Sequence, residues 1–294
     1  MTSTINRYVD LPGRGKALVR EVIGPEGAPT VVLLHGLGAT GQLNWGPSYR
    51  DLSRHFRVLC VDHRGHGGGI RTRQFRLEDC ADDAVAMAAA MGANRFIAVG
   101  YSMGGPIAKL IWRRHPDKIQ GLVLCATARH FAPPQIHPAA RTFLGAASGV
   151  ARLVPGILQR QVLGRLMLRI EQPEVRMRVA RELSGHDPAA VIQAAAAIAG
   201  FSSHSWVHEV DVPTAVVITT RDDVVPPSRQ RKLAASIKGA VVFEVDADHV
   251  ACVAAADKFV PALVRACLHV AQTRREHQEV ESLAEDLVSD PRRG

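Results

Sequence analysis

The feature that most constrains the fold of this chain is a series of short, uninterrupted apolar runs, each closing on glycine or aspartate. Val31-Val32-Leu33-Leu34 leads into His35-Gly36-Leu37-Gly38, and Arg57-Val58-Leu59-Cys60-Val61 leads into Asp62 and the glycine-rich Gly65-His66-Gly67-Gly68-Gly69. Phe96-Ile97-Ala98-Val99 leads into Gly100-Tyr101-Ser102, and further runs are Leu122-Val123-Leu124-Cys125, Ala215-Val216-Val217-Ile218 and Val241-Val242-Phe243-Glu244-Val245. Short runs rich in β-branched residues, with no polar alternation, are expected of strands covered on both faces, as in a parallel sheet. Helical stretches separate them: Leu77 to Met91, Pro106 to Arg114, Ser228 to Ile237, and Val250 to about Gln272. This alternation implies an α/β class with an open, mostly parallel, doubly wound sheet. The segment from Tyr8 to Ile23, turning around Gly13 and Gly15, adds an antiparallel hairpin at one edge.

Two regions break the alternation. From about Ala128 to Val207 there is no strand pattern, only alanine- and leucine-rich stretches cut by Pro155, Pro173 and Pro188. The reading is a helical cap over 128–207, inserted into a core made of residues 1–127 and 208–273. With 294 residues and 47% hydrophobic content, one main domain with an insertion is what the chain can support. Residues 274–294 are dense in charge and poor in apolar side chains, as expected of a frayed or disordered tail.

The formal charge of +8 raises nucleic-acid binding as a function, but aromatics make up only 5% of the chain and do not interleave with the arginines, which argues against it. Much of the excess lies within the cap, at Arg141, Arg152, Arg160, Arg165, Arg169, Arg176 and Arg178. These arginines offer a peripheral contact to anionic lipid or to a negatively charged substrate group, against the plainer reading of a solvated face. The five cysteines, Cys60, Cys80, Cys125, Cys252 and Cys267, are odd in number and form no CxxC pair, and several sit in apolar runs. They read as reduced core residues. No secretory leader or membrane-spanning run is recognisable, so the expected location is cytoplasmic.

Gly100-Tyr101-Ser102-Met103-Gly104 fits G-x-S-x-G, a pattern that arises by chance in roughly one in ten chains of this length. Its context makes it informative: the serine falls between an apolar strand and a helix with Pro106 in its first turn, where proline is tolerated. A nucleophile at such a tight strand-to-helix turn is pushed into the cleft above the sheet. The helix that follows aims its unpaired N–H groups and positive dipole end at the same place. Met103 N–H is the first candidate oxyanion donor, and Leu37 N–H, in the glycine-flanked turn after the first long run, is the second. Of the 13 histidines, His249 stands immediately after the last strand, at the carboxyl edge where sites in such sheets form. There it can act as general base toward Ser102. The acid that orients it comes from Arg221-Asp222-Asp223-Val224-Val225-Pro226, where two adjacent aspartates leave a choice.

Taken together, HG-x-G at His35 to Gly38, D-x-R-G-x-G at Asp62 to Gly67, G-x-S-M-G-G at Gly100 to Gly105 and D-x-x-V-P at Asp222 to Pro226 resemble the α/β-hydrolase superfamily over about residues 7 to 270. The resemblance is to its capped esterase, lipase and enol-lactonase-like branch. Alignment on Val225-Pro226 implies Asp222 as the acid, although Thr219 stands where the family has glycine, and Asp248 where glycine usually precedes the histidine. The resemblance implies a serine hydrolase acting on a small-molecule carboxylic ester, or related acyl compound, with an apolar acyl portion. Neither cofactor nor metal is required. Carbon–carbon bond hydrolases, thioesterases and acyltransferases share the same serine motifs, and a fold recruited as a binding module is the alternative of a different class. His204 and His208 have the i, i+4 spacing of zinc ligands, but no glutamate follows His204. Oligomeric state is not legible.

Overall fold

The structure, a computed structural model, describes residues 4–131 and 185–289 together with Pro173 and Met177, with the backbone alone for 281–289. Among the described residues, eight strands form one sheet: β1 (Thr4–Leu11), β2 (Gly15–Val22), β3 (Thr30–Leu34), β4 (Arg57–Val61), β5 (Phe96–Tyr101), β6 (Ile119–Cys125), β7 (Thr214–Thr219) and β8 (Val241–Val245). Their order across the sheet is β1-β2-β4-β3-β5-β6-β7-β8. The hairpin β1–β2 and the β2–β4 pair are antiparallel, and all other neighbours are parallel. The expected hairpin thus lies at the edge, where Gly13 (φ 71°) and Gly15 (φ 127°) supply the left-handed backbone its turn needs.

The lack of polar alternation in the central strands follows from burial on both faces. In β3, Val32 and Leu34 enter one apolar core and Val31 and Leu33 the other; β4 and β7 divide in the same way. One core is closed by α3 (Leu77–Ala90) and α4 (Gly104–Arg114). The other is closed by two short helices after β3, α1 (Gly41–Trp45) and α2 (Tyr49–Leu52), through Trp45 and Leu52, and by the helix that begins at Ala256, through Phe259, Leu263 and Cys267. Each fully buried aliphatic side chain contributes about 1.5–3 kcal/mol by leaving water. All five cysteines are buried and free, in keeping with their reading as core residues.

Strand β8 departs from the expectation of cover on both faces. It is the last strand of the sheet, and Val242 and Glu244 on its outer face are exposed, with Glu244 paired to Arg231 at 2.8 Å. Exposure therefore alternates along β8 although its sequence is apolar at every position but Glu244, because this end of the sheet is covered less fully on one face.

After β6 the chain leaves the sheet and returns only at β7. Residues 132–184, Pro173 and Met177 apart, lie outside the described residues, and with them most of the expected cap. Its returning end contains α5 (Pro188–Gly200), with Asp187 accepting from the N–H groups of Ala189 and Ala190 and proline at the first helical position. The C-terminal helix also differs from expectation. A short turn of helix, α6 (Ala251–Ala254), breaks at Ala255, and the long helix α7 (Ala256–Ser289) continues well past Gln272 into the segment expected to fray. Good helix formers dominate there, and Gln272 Nε2 donates to Glu276 Oε1 one turn on at 3.0 Å. No described helix is long and apolar enough to cross a membrane.

Candidate active site

Three chain reversals at the carboxyl edge of the sheet bring the predicted site residues together. β5 ends at Tyr101 and α4 begins at Gly104, so Ser102 and Met103 must make the whole turn. Ser102 takes φ 49°, a left-handed conformation that costs a non-glycine residue about 1–3 kcal/mol. Its backbone is fastened on both sides: its N–H donates to Cys125 O at 2.9 Å, while its carbonyl accepts from Gly105 N–H at 3.0 Å and from Thr127 Oγ1 at 2.9 Å. The flanking glycines are required by close approach, because a Cβ on Gly100 would collide with the Gly104 carbonyl and one on Gly104 with the Leu34 carbonyl. The Ser102 side chain is left half-buried at the cleft.

His249 follows β8, and its carbonyl accepts from Tyr101 Oη at 2.8 Å, which ties this loop to the end of β5. Asp222 lies in the turn after β7 and is 4% exposed. Its Oδ1 accepts from the N–H groups of Val224 (3.0 Å) and Val225 (2.8 Å). Its Oδ2 accepts from Thr219 Oγ1 (2.7 Å), Gln230 Nε2 (3.1 Å) and His249 Nδ1 (2.7 Å). A carboxylate can only accept, so Nδ1 carries the proton, which leaves Nε2 to accept from the Ser102 hydroxyl 3.0 Å away. Serine, histidine and aspartate therefore form one hydrogen-bonded line. Such a line can take a proton from the hydroxyl as the oxygen attacks and hold the resulting imidazolium against a fixed carboxylate.

The neighbouring carboxylates are placed differently. Asp223 is exposed, and Asp248, also exposed, accepts from Val250 N–H at 3.0 Å, away from the imidazole. Of the paired aspartates, Asp222 is the one whose side chain is buried and meets the imidazole.

The loop after β3 lies against the serine: a Cβ built on Gly36 would sit 3.5 Å from Ser102 Cβ. Gly36 N–H is occupied by Asn44 Oδ1 at 2.9 Å. Among the described residues, the N–H groups of Leu37 and Met103 donate no hydrogen bond. Behind this loop His35 is fully buried, with Nε2 accepting from His63 N–H (2.9 Å) and Nδ1 donating to Gly36 O (2.8 Å). Burial, reinforced by His63 and His66 beside it, holds His35 well below the usual histidine range. Burial also pushes His63 down to about 3 and His66 to about 4. These neutral rings brace the loop from behind.

The D-x-R-G-x-G turn has a structural role. Asp62 Oδ1 accepts from Arg20 Nη1 (2.6 Å) and Gly41 N–H (2.8 Å), and Oδ2 accepts from Gly68 N–H (3.0 Å). Burial pushes the Asp62 carboxyl up, but the adjoining Arg20 guanidinium and these N–H groups bring it below its ordinary value. Sequence reasoning missed Arg20, Asn44, Tyr101, Thr219 and Gln230. Arg20 bonds Asp62 twice, Gln230 bonds Thr219, Asp222 and Val225, and Asn44 and Tyr101 bond Gly36 and His249, pairings that no local pattern announces; Thr219 was visible only as a departure from the expected glycine.

A family model described as the alpha/beta hydrolase fold matches residues 29–256. The chain belongs to the α/β-hydrolase family. It is 30% identical to a pimeloyl-[acyl-carrier protein] methyl ester esterase of Chromobacterium violaceum, over 80% of this chain and 92% of the relative. It is 27% identical to a proline iminopeptidase of Pestalotiopsis fici, over 79% of this chain and 89% of the relative. Among solved structures, the enol-lactonase from Burkholderia xenovorans superposes with a TM-score of 0.70 at 27% identity, covering 88% of this chain and 98% of that one. This α/β hydrolase is accordingly an enzyme with hydrolase activity. Among its described residues, no group of three or more histidine, cysteine, aspartate or glutamate side chains is arranged so that it could hold a metal ion.

Proposed function

We propose that the enzyme hydrolyses a carboxylic ester, or a related acyl compound with an apolar acyl portion, through an acyl-enzyme on Ser102. The observation that carries this reading is the unbroken line from Ser102 Oγ to His249 Nε2 (3.0 Å) and from His249 Nδ1 to Asp222 Oδ2 (2.7 Å). Ser102 attacks the carbonyl as His249 takes its proton, and Asp222 keeps the imidazole in the required tautomer. The developing oxyanion is held by the N–H groups of Leu37 and Met103. Their lack of an internal acceptor, the position of Met103 at the head of α4 and the contact of Gly36 with Ser102 support that assignment. His249 then protonates the leaving group, and water, deprotonated by the same imidazole, releases the acid.

The substrate class draws on the proteins to which the chain is similar, named as a methyl ester esterase, an enol-lactonase and a proline iminopeptidase. All three reactions pass through a tetrahedral oxyanion at a carbonyl, which is the species this geometry fits. In this reading residues 128–207 form a cap that roofs the cleft and selects the acyl portion, and its arginines give it a face toward anionic groups.

The test is hydrolysis of p-nitrophenyl esters from acetyl to palmitoyl by wild type and Ser102→Ala. Turnover in the wild type with a chain-length optimum, lost by about 10⁶-fold in the variant, is expected. An inactive wild type that still hydrolyses acyl thioesters would move the substrate class, and equal activity in both proteins would remove Ser102 from the mechanism.

A further inference from the structure

Lys109 is the most anomalous side chain outside the reacting line. It lies in α4, two turns beyond Ser102, and is fully buried at 0% exposure, with no carboxylate bonded to its amine among the described residues. Its Nζ donates to Ala128 O at 2.7 Å and to Ser203 Oγ at 3.1 Å, and lies 5.0 Å from the centre of the Phe201 ring. A buried amine without an acid costs stability relative to an apolar side chain of the same length. Its presence therefore calls for an explanation other than stability.

The amine's two acceptors belong to the two segments that flank residues 132–184. Ala128 is on the outgoing segment and Ser203 on the returning one, and the two are joined at the same place. Ser203 N–H and Oγ both donate to Arg129 O, at 2.8 and 3.1 Å, and His130 and Ser202 form an antiparallel bridge. The outgoing segment also holds the serine turn, since Thr127, next to Ala128, donates to the Ser102 carbonyl. Other charged and titratable groups here are engaged or turned away. Arg113 lies over Trp206 and near Glu209, and Arg129 donates to Ser236 Oγ, while His204 is exposed.

The geometry points to Lys109 as a positioning residue for the reaction, a clasp that ties the helix behind Ser102 to both segments flanking residues 132–184. It acts through Ala128 and Thr127 on the Ser102 backbone and touches neither substrate nor the reacting atoms. Burial brings this amine down to about 7, so it loses its proton near neutrality and keeps at most two N–H donors, one for each acceptor. The clasp rests on Ser102 being the nucleophile only for its effect on rate, because its structural part can be measured without turnover.

The test compares wild type, Lys109→Met and, as a milder second variant, Ser203→Ala. Amide hydrogen exchange over residues 126–131 and 200–206 reads the clasp, ester hydrolysis reads its consequence, and urea unfolding reads stability. The expected result for Lys109→Met is faster exchange confined to those two segments and a fall of about tenfold in kcat, with KM less affected and stability equal to or above that of wild type. Ser203→Ala should shift exchange in the same segments by less. Unchanged exchange in both variants, or activity lost only in proportion to stability, would overturn the proposal. A wild type that hydrolyses no ester would defeat the proposed function while leaving the exchange result to decide the clasp.

Discussion

Asp62 and Asp222 are two buried carboxylates at the same edge of the same sheet, one following β4 and the other following β7, yet their surroundings make them different chemical objects. Asp62 is 2% exposed and faces a guanidinium, so its charge is permanently matched by Arg20 and by two backbone N–H groups. Asp222 has a comparable set of neutral donors, from Thr219, Gln230, Val224 and Val225, but its one basic neighbour is an imidazole. A carboxylate paired with arginine fixes a loop. A carboxylate solvated by neutral donors and facing histidine keeps its charge available for the moment the ring takes a proton.

The largest effect that would break this contrast is on rate. Asp222→Asn should lower kcat by about 10⁴-fold with the fold intact, since the amide can no longer hold the required tautomer. Asp62→Asn should leave the activity of the folded fraction near that of wild type but cost about 3–5 kcal/mol in urea unfolding, because Arg20 is left buried and unpaired. Equal losses of rate in the two variants would erase the distinction.

Next in size is the response of stability to pH. His63 and His66 are held below their ordinary 6.5, so the unfolded chain binds more protons, and their contribution is complete above pH 6.5 and lost as the pH falls toward 4 and 3. The Asp62 carboxyl is also lowered, so its contribution is present above 3.8 and lost below it. Lys109 acts at the other end: its folded value of about 7 against an ordinary 10.5 makes stability rise with pH across that window. Urea midpoints should therefore climb from pH 4 to 6.5, and Lys109→Met should remove a further rise between pH 7 and 10. A flat alkaline profile in wild type would contradict the assigned state of Lys109.

The smallest effects separate the bystanders from the line itself. Thr219→Val, which removes one donor from Asp222 Oδ2, should reduce kcat by several-fold, whereas Asp223→Asn and Asp248→Asn should stay within about twofold in the same assay.

These comparisons also mark how far the sequence alone could be read. The sheet was legible because β3 to β7 are buried on both faces and carry unbroken apolar runs, whereas the one-sided exposure of β8 was not, since its sequence is apolar at every position but Glu244. Ser102 and His249 were singled out from their places after β5 and β8, and the structure brings their side chains within 3.0 Å. Asp222 was separated from Asp223 only by alignment on Val225-Pro226, since inward and outward orientation in a turn leaves no local signature. Lys109 looked like an ordinary helical lysine: its meaning lies in Ala128 and Ser203, distant in sequence from it and from each other. The tail after Gln272 was expected to fray on charge density, but propensity and one-turn pairing continue the helix to Ser289.

The most direct test of the central claim, that Ser102 is the nucleophile, is labelling with a fluorophosphonate followed by peptide mapping, in wild type and Ser102→Ala together. The account predicts one phosphonyl group per chain, on Ser102, with ester turnover lost in step with labelling and no adduct in the variant. An adduct on another residue, or ester hydrolysis that survives in Ser102→Ala, would contradict it.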